Sequence, residues 1–272
     1  DEDCDLFSKR FLLALRKSNW PPSFFALWFA MSATQSAACK VLEETIDTNQ
    51  LSRYYIGVTI KDERLLQQLV QQALENTWRT FEKVEPVALL YVATGSISKL
   101  SRLYQLMGDG PRSAFFDHDP NDPKWKRSAL KNAFSSLSHL NYQMAATLFL
   151  AAGSIKDCIN VITKQMEDPV LAFLVLRLID GGVRGQHIDK FLDEYKWKDD
   201  VIPIIIGYIR GDEKVYEQIE PLMLSQETAH CVSAFGDKRV PLFEAYVSLS
   251  RQLQYVHRIA YNLANDGLIP LA

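Results

Sequence analysis

The side chains that could carry catalysis or hold a metal are poorly placed in this sequence. Its histidines are His118, His139, His187, His230 and His257. On a helix, metal donors must recur at three or four residues, and no second histidine or cysteine stands at that distance from any of them. Asp117-His118-Asp119 is the densest ligand-like cluster, but Pro120, Asp122 and Pro123 beside it make it read as a solvated turn. Gly108-Asp109-Gly110-Pro111-Arg112 has the glycines of a phosphate loop. It lacks the G-x-x-x-x-G-K-S/T spacing, and Pro111 removes an N–H that such a loop needs. There is no G-x-S-x-G and no cysteine with a plausible His/Asn setting. Glu43-Glu44 and Glu217/Glu220 read as solvated helix faces. The expectation is no catalytic residue, no metal, no cofactor and no enzymatic activity.

Basic residues are the remaining candidates. Lys124, Arg127 and Lys131, with Lys126, surround Trp125. They have two readings: a solvated face whose alkyl stems cover Trp125, or a patch that meets an acidic partner. A net charge of −3 argues against a general nucleic-acid binder, which needs a basic field to release counterions. Cys4, Cys39, Cys158 and Cys231 lie far apart, as suits buried apolar filler in a reducing compartment. No apolar run is long enough to span a bilayer, and the first residues hold no signal peptide. The missing start Met and the abrupt Ala272 lead us to expect a segment of a longer chain.

The elements that carry these residues read as helices throughout. Trp125, Ala129, Leu130, Ala133, Phe134 and Leu137 form one apolar stripe of a helix, with Arg127, Ser128, Lys131 and Ser135 opposite. Tyr142 to Ala152 is almost wholly apolar, and the short link predicts a tight antiparallel return. Further helices are expected over 5–17, Phe24 to Met31 after a Trp20-Pro21-Pro22 break, 37–46, 62–81, 87–94, 96–107, 154–166, 169–180, 187–197, 199–210, 212–224, 227–235 and 240–265. Ser96 and Ser154 are expected as caps. Residues 108–123 read as a loop holding Phe115-Phe116. Tyr54 to Ile60 has strand propensity but reads as a helix end and loop. Gly95, Gly153 and Gly211 stand 58 residues apart, each ending an apolar helix, with Gly181 near the midpoint of the second interval. That rhythm predicts an all-α chain, an α-solenoid of antiparallel helical hairpins in which each unit buries its apolar face only against its neighbours.

The run W-K-R-S-A-L-K-N-A-F, then A-A-T-L-F-L-A-A-G-S-I-K-D-C-I-N-V and M-E-D-P-V-L-A, resembles the C-terminal helical region of the rabconnectin/DmX family. Fungal members of that family are the large subunit of the RAVE complex, the regulator of the H⁺-ATPase of vacuoles and endosomes. The signature falls on Trp125, Ala129, Leu130, Lys131, Asn132, Ala133, Phe134, Ala145, Ala146, Phe149, Leu150, Ala152, Gly153, Ser154, Lys156, Asp157, Asp168, Leu171 and Ala172, of which Trp125, Ala129, Leu130, Asn132, Ala133, Phe134, Ala145, Ala146, Phe149, Gly153 and Asp157 are expected to be mainly structural. Ser128, Lys126, Leu148 and Cys158 depart from it. The resemblance divides the solenoid segment 1–272 into N-terminal hairpins (1–80), family-like repeats (86–225) and C-terminal helices (226–272). It implies a non-enzymatic scaffold of V-ATPase assembly, cytoplasmic and peripherally associated with vacuolar or endosomal membranes. Implied partners are V-ATPase peripheral-sector subunits and other RAVE-type subunits, including a Skp-type adaptor. On that reading Lys124, Arg127 and Lys131 are the partner-binding candidates. A scaffold of a vesicle coat or ciliary transport complex is the alternative. A helical enzyme or ligand-binding domain would need a polar pocket joining His139 or His187 to carboxylates.

Overall fold

The computed structural model describes residues 4–17, 23–215 and 217–219. The helices expected over 227–235 and 240–265, the Trp20-Pro21-Pro22 break, Cys231, His230 and His257 lie outside the described residues. Every regular element among the described residues is helical, as the all-α reading expects. The chain divides into two compact units, Asp1–Asp212 and Glu213–Ala272. Of the second, the described residues show a 3-10 turn over Glu213–Val215 and a helical 217–219.

The first unit holds α1 Leu6–Lys17, α2 Ser23–Met31, α3 Gln35–Glu43, α4 Thr48–Arg53, α5 Ile56–Thr59, α6 Glu63–Phe81, α7 Glu85–Ala93 and α8 Ile97–Leu106. It continues with α9 Gly110–Phe116, α10 Pro123–Ser138, α11 Tyr142–Ala151, α12 Ile155–Lys164, α13 Pro169–Asp180, α14 Gln186–Glu194 and α15 Val201–Arg210. Starts are set by side chains that accept otherwise unpaired N–H groups. Asp47, Asp62, Asp109, Asp122, Asn141 and Asp168 do so, and proline occupies the first turn of α7, α9, α10 and α13. Ser96 and Ser154 precede helices as expected, but neither side chain caps. The Ser154 hydroxyl donates instead to Asp157 at 2.6 Å.

Several helix ends share one geometry. Gly95, Gly153, Gly181 and Gly211 all have φ between 71° and 84°. The next N–H closes back over the helix end: Ser96 to the Tyr91 carbonyl, Ser154 to Phe149, Gly182 to Arg177 and Asp212 to Gly207. Only a left-handed residue permits that closure, which explains the recurrence of glycine at these positions.

Two stretches differ from expectation. The expected loop at 108–123 contains α9, because the Asp109 carboxylate accepts the Arg112 N–H at 3.0 Å and Pro111 starts a turn. Tyr54 to Ile60 is neither strand nor loop. Tyr55 adopts a left-handed φ of 56°, and the chain then makes the single helical turn α5.

The hairpins stack with apolar helices inside and amphipathic ones outside, as in α10 against α11. Their path has a feature that local periodicity could not reveal. α2, α5 and α7 run out as one row; α11, α13 and α15 return beside it, so that α7 meets α11, α5 meets α13 and α2 meets α15. Each unit therefore buries apolar surface against a distant part of the chain as well as against its neighbours. The inner helices are correspondingly buried all round: Phe173, Leu174, Val175 and Leu176 of α13 are at most 1% exposed. Each such side chain contributes roughly 2 kcal/mol.

Polar contacts set the register between the rows. Arg177, 0% exposed, donates to both carboxylate oxygens of Glu63 at 2.7–3.0 Å and to the Gly57 carbonyl at 2.8 Å. Gly57 is needed there, since a Cβ would stand 2.7 Å from the Cβ of Leu174. The Ser52 hydroxyl donates to Asp168 at 2.6 Å, and the Leu171 N–H to the same oxygen at 2.8 Å. Within the outgoing row, the buried Gln35 amide donates to the Phe29 and Thr59 carbonyls and accepts from the Lys61 N–H.

Glu63→Leu strands a fully buried guanidinium and should lose roughly 3–5 kcal/mol of stability, whereas Glu63→Leu with Arg177→Met should lose less. Urea unfolding checks this; a single variant within about 1 kcal/mol of wild type contradicts it. Asp168 gives a pH test. Burial pushes its carboxyl above the usual value near 3.8, against lowering by Ser52 and the Leu171 and Val170 amides. A raised folded-state value means that the wild type loses stability relative to Asp168→Asn as pH rises through it. The difference should move in favour of Asn between about pH 3 and about pH 7, and a flat or opposite trend refutes the assignment.

Candidate functional site

Helix α10 carries the candidate surface. Asp122 accepts the Lys124 N–H at 2.9 Å, and Pro123 opens the first turn. Trp125 is buried: its indole N–H donates to the Phe115 carbonyl at 2.7 Å, and the two rings lie 5.3 Å apart. Ala129 and Ala133, both 0% exposed, complete the inward stripe. Leu130 and Leu137 are half-buried and Asn132 is exposed.

Phe134 corrects the expected stripe. It is 58% exposed, touching Phe149 only edge-on at a centroid distance of 5.0 Å. Two alanines let α11 approach closely, so the contact stripe is narrow and Phe134 falls on its margin. The signature residues of α11 are interior, whereas Gly153 is exposed and Asp157 half-buried. Ala145, Ala146 and Phe149 of α11 are at most 1% exposed, Gly153 has φ 84° and Asp157 accepts from Ser154.

Lys124, Arg127 and Lys131 are all exposed. Arg127 donates from Nε to the Pro123 carbonyl at 3.3 Å, and no carboxylate among the described residues pairs with any of the three. Four arginines elsewhere have carboxylate partners: Arg79 with Glu75, Arg112 with Asp109, Arg177 with Glu63 and Arg210 with Asp189. Helix α10 has no acid in its first turn and no base in its last. Lys124 sits in the first turn at the positive end of the macrodipole, where it is locally unfavourable by up to about 1 kcal/mol.

The turn after α10 holds another departure. Leu140 takes the left-handed position, with φ 61° and 70% exposure, where five other helix ends use glycine. The Asn141 N–H closes to the Ser136 carbonyl at 2.9 Å around it. Sequence reasoning missed this residue, although its place between a helix end and the Asn141 cap was a readable signal. It also missed Arg177, the lone charge inside the apolar run from Val170 to Ile179.

The histidines find local roles. His118 bonds the Ala114 carbonyl and His139 the Ser135 carbonyl, each at 2.7 Å. His187 pairs with Asp180 at 2.7 Å, and the other Asp180 oxygen accepts the His187 and Ile188 N–H groups. That carboxylate caps α14. Two open polar depressions, around Lys61 and Arg64 and around Asp47 and Asn76, include neither His139 nor His187. Cys4, Cys39 and Cys158 are buried free thiols; burial pushes Cys39 up to about 12 and Cys158 further upward. No metal-ligand cluster occurs among the described residues.

A family model described as RAVE protein 1 C terminal matches residues 25–202. Human DmX-like protein 1 is 28% identical over 134 residues, 48% of this chain and 4% of that protein. The regulator of V-ATPase in vacuolar membrane protein 1 of Saccharomyces cerevisiae is 32% identical over 139 residues, 49% of this chain and 10% of that protein. Its Schizosaccharomyces pombe namesake is 27% identical over 165 residues, 58% of this chain and 12% of that protein. The chain thus spans a small fraction of these relatives.

A left-handed leucine is conformationally costly, so Leu140→Gly should raise stability by about 1 kcal/mol. Thermal unfolding decides it, and a lowered midpoint would show that Leu140 packs against something that stabilises the fold.

Proposed function

The chain belongs to the RAVE protein 1 C-terminal family, and from that membership we propose that it is a non-enzymatic scaffold segment of a V-ATPase assembly factor. The observation that carries the proposal is the family match, joined to two fungal relatives named as regulators of V-ATPase in the vacuolar membrane. Its partners would be subunits of the peripheral, ATP-hydrolysing sector, together with RAVE-type subunits including a Skp-type adaptor. The segment would promote association of that sector with the membrane sector. It would act peripherally at vacuolar and endosomal membranes; no described helix is long and apolar enough to cross a bilayer.

The mechanism is geometric. Two rows of helices tied by Arg177 present their outer helices in a fixed relation. A partner held against such a surface loses little further freedom on assembly. Lys124, Arg127 and Lys131 are the proposed contact. They are exposed and have no carboxylate partner among the described residues, and they would supply charge complementarity and fast encounter.

Affinity purification of the full-length protein from cells, with quantification of V-ATPase subunits, tests this. Peripheral-sector subunits should co-purify, and Arg127→Glu with Lys131→Glu should reduce their recovery at least about fivefold. Recovery of coat or ciliary-transport subunits in their place overturns the function. Unchanged recovery with the double variant overturns only the α10 contact.

A further inference from the structure

The outer side of the α10–α11 hairpin carries features that the fold does not explain. Lys124, Arg127, Lys131 and Phe134 follow at spacings of three, four and three. At helical rise they form one line about 15 Å long. The three cations lead it, Phe134 ends it at 58% exposure, and Leu140 follows at 70%. Three departures from self-sufficient folding coincide here. Lys124 opposes the helix dipole from the first turn, although Lys40, Arg79, Lys164 and Arg210 sit in the favourable last turns of α3, α6, α12 and α15. The three cations lack carboxylate partners among the described residues. An exposed leucine holds a left-handed backbone position that five other helix ends give to glycine and α6 gives to the polar Glu82. Each makes the free chain less stable, and each is relieved by one kind of occupant.

We propose that this line is a docking seam for an acidic amphipathic helix of a partner protein, a reading that rests on α10 being the partner face. Carboxylates spaced three and four residues apart on the incoming helix meet Lys124, Arg127 and Lys131. Apolar side chains beyond them cover Phe134 and Leu140. The 3-4 spacing is that of two helices packed at a shallow angle, and unlike charges along the seam fix the register. A protein helix fits this face better than a membrane does. Asp117 and Asp119 are exposed just before α10, and an anionic bilayer plane would meet them together with the cations. A helix about 10 Å wide can lie along the seam alone.

The test uses the 272-residue chain and a fluorescein-labelled helical peptide with three glutamates at seam spacing followed by two leucines. A permuted peptide of the same composition is the control. The patterned peptide should bind at least about tenfold more tightly, and Arg127→Glu with Lys131→Glu should remove about tenfold of that affinity. Phe134→Ala should weaken binding about threefold while leaving the salt dependence in place. Leu140→Gly should weaken it similarly while raising the thermal midpoint, an opposition that a merely structural role would not produce. Equal binding of the permuted peptide, no binding of the patterned one, or indifference to Phe134→Ala and Leu140→Gly overturns the seam. Capture by phosphatidylserine vesicles that depends on Arg127 and Lys131, without peptide binding, also overturns it and assigns the face to lipid. The assay contains no V-ATPase subunit, so it stands or falls separately from the proposed function.

Discussion

A single guanidinium holds the two rows of helices in register. Arg177 has no exposure, and burial pulls its pKa down while Glu63 pulls it back up. Such a group is tolerable only if its donors are used, and here Nε and Nη2 meet a carboxylate and Nη1 a backbone carbonyl. The carbonyl belongs to Gly57, where contact with Leu174 leaves no room for a side chain. The ion pair and the close approach are thus parts of one constraint. It joins residues more than a hundred positions apart and fixes how α13 lies on α5 and α6. Hydrophobic burial would hold the rows together at many offsets, and the polar ties select one.

With the interior so determined, the outer helices are free to differ. Some of them carry charges that suit their dipoles, as Glu63 and Arg79 do in α6 and Asp157 and Lys164 in α12. Helix α10 does not. Its cations, Phe134 and Leu140 are choices that local stability disfavours, gathered on one hairpin. Their cost is small beside the burial of Trp125, Ala129 and Ala133 on the opposite side, so the fold can carry them.

The helices and their glycine ends were legible because both arise within one turn of chain. The exposure of Lys124, Arg127 and Lys131 was legible for the same reason. What escaped depends on distance. Nothing in a local period says that α2 meets α15, and so nothing could show Arg177 reaching Glu63, although a lone arginine among apolar residues flagged a partner. Helix α9 was hidden by glycines and prolines that turned out to start it. Phe134 was misplaced because two alanines narrowed the contact with α11, and side-chain size across an interface is not a property of either helix alone.

The central claim is that α10 is the face by which this chain holds its partner. Zero-length carbodiimide coupling tests it directly, because that chemistry joins only amines and carboxylates in contact. Applied to the full-length protein bound to V-ATPase, it should link Lys124 and Lys131 to acidic residues at three- and four-residue spacing in one helix of a peripheral-sector subunit. Crosslinks confined to other lysines, with Lys124 and Lys131 still reactive to a soluble amine probe in the complex, would contradict the account.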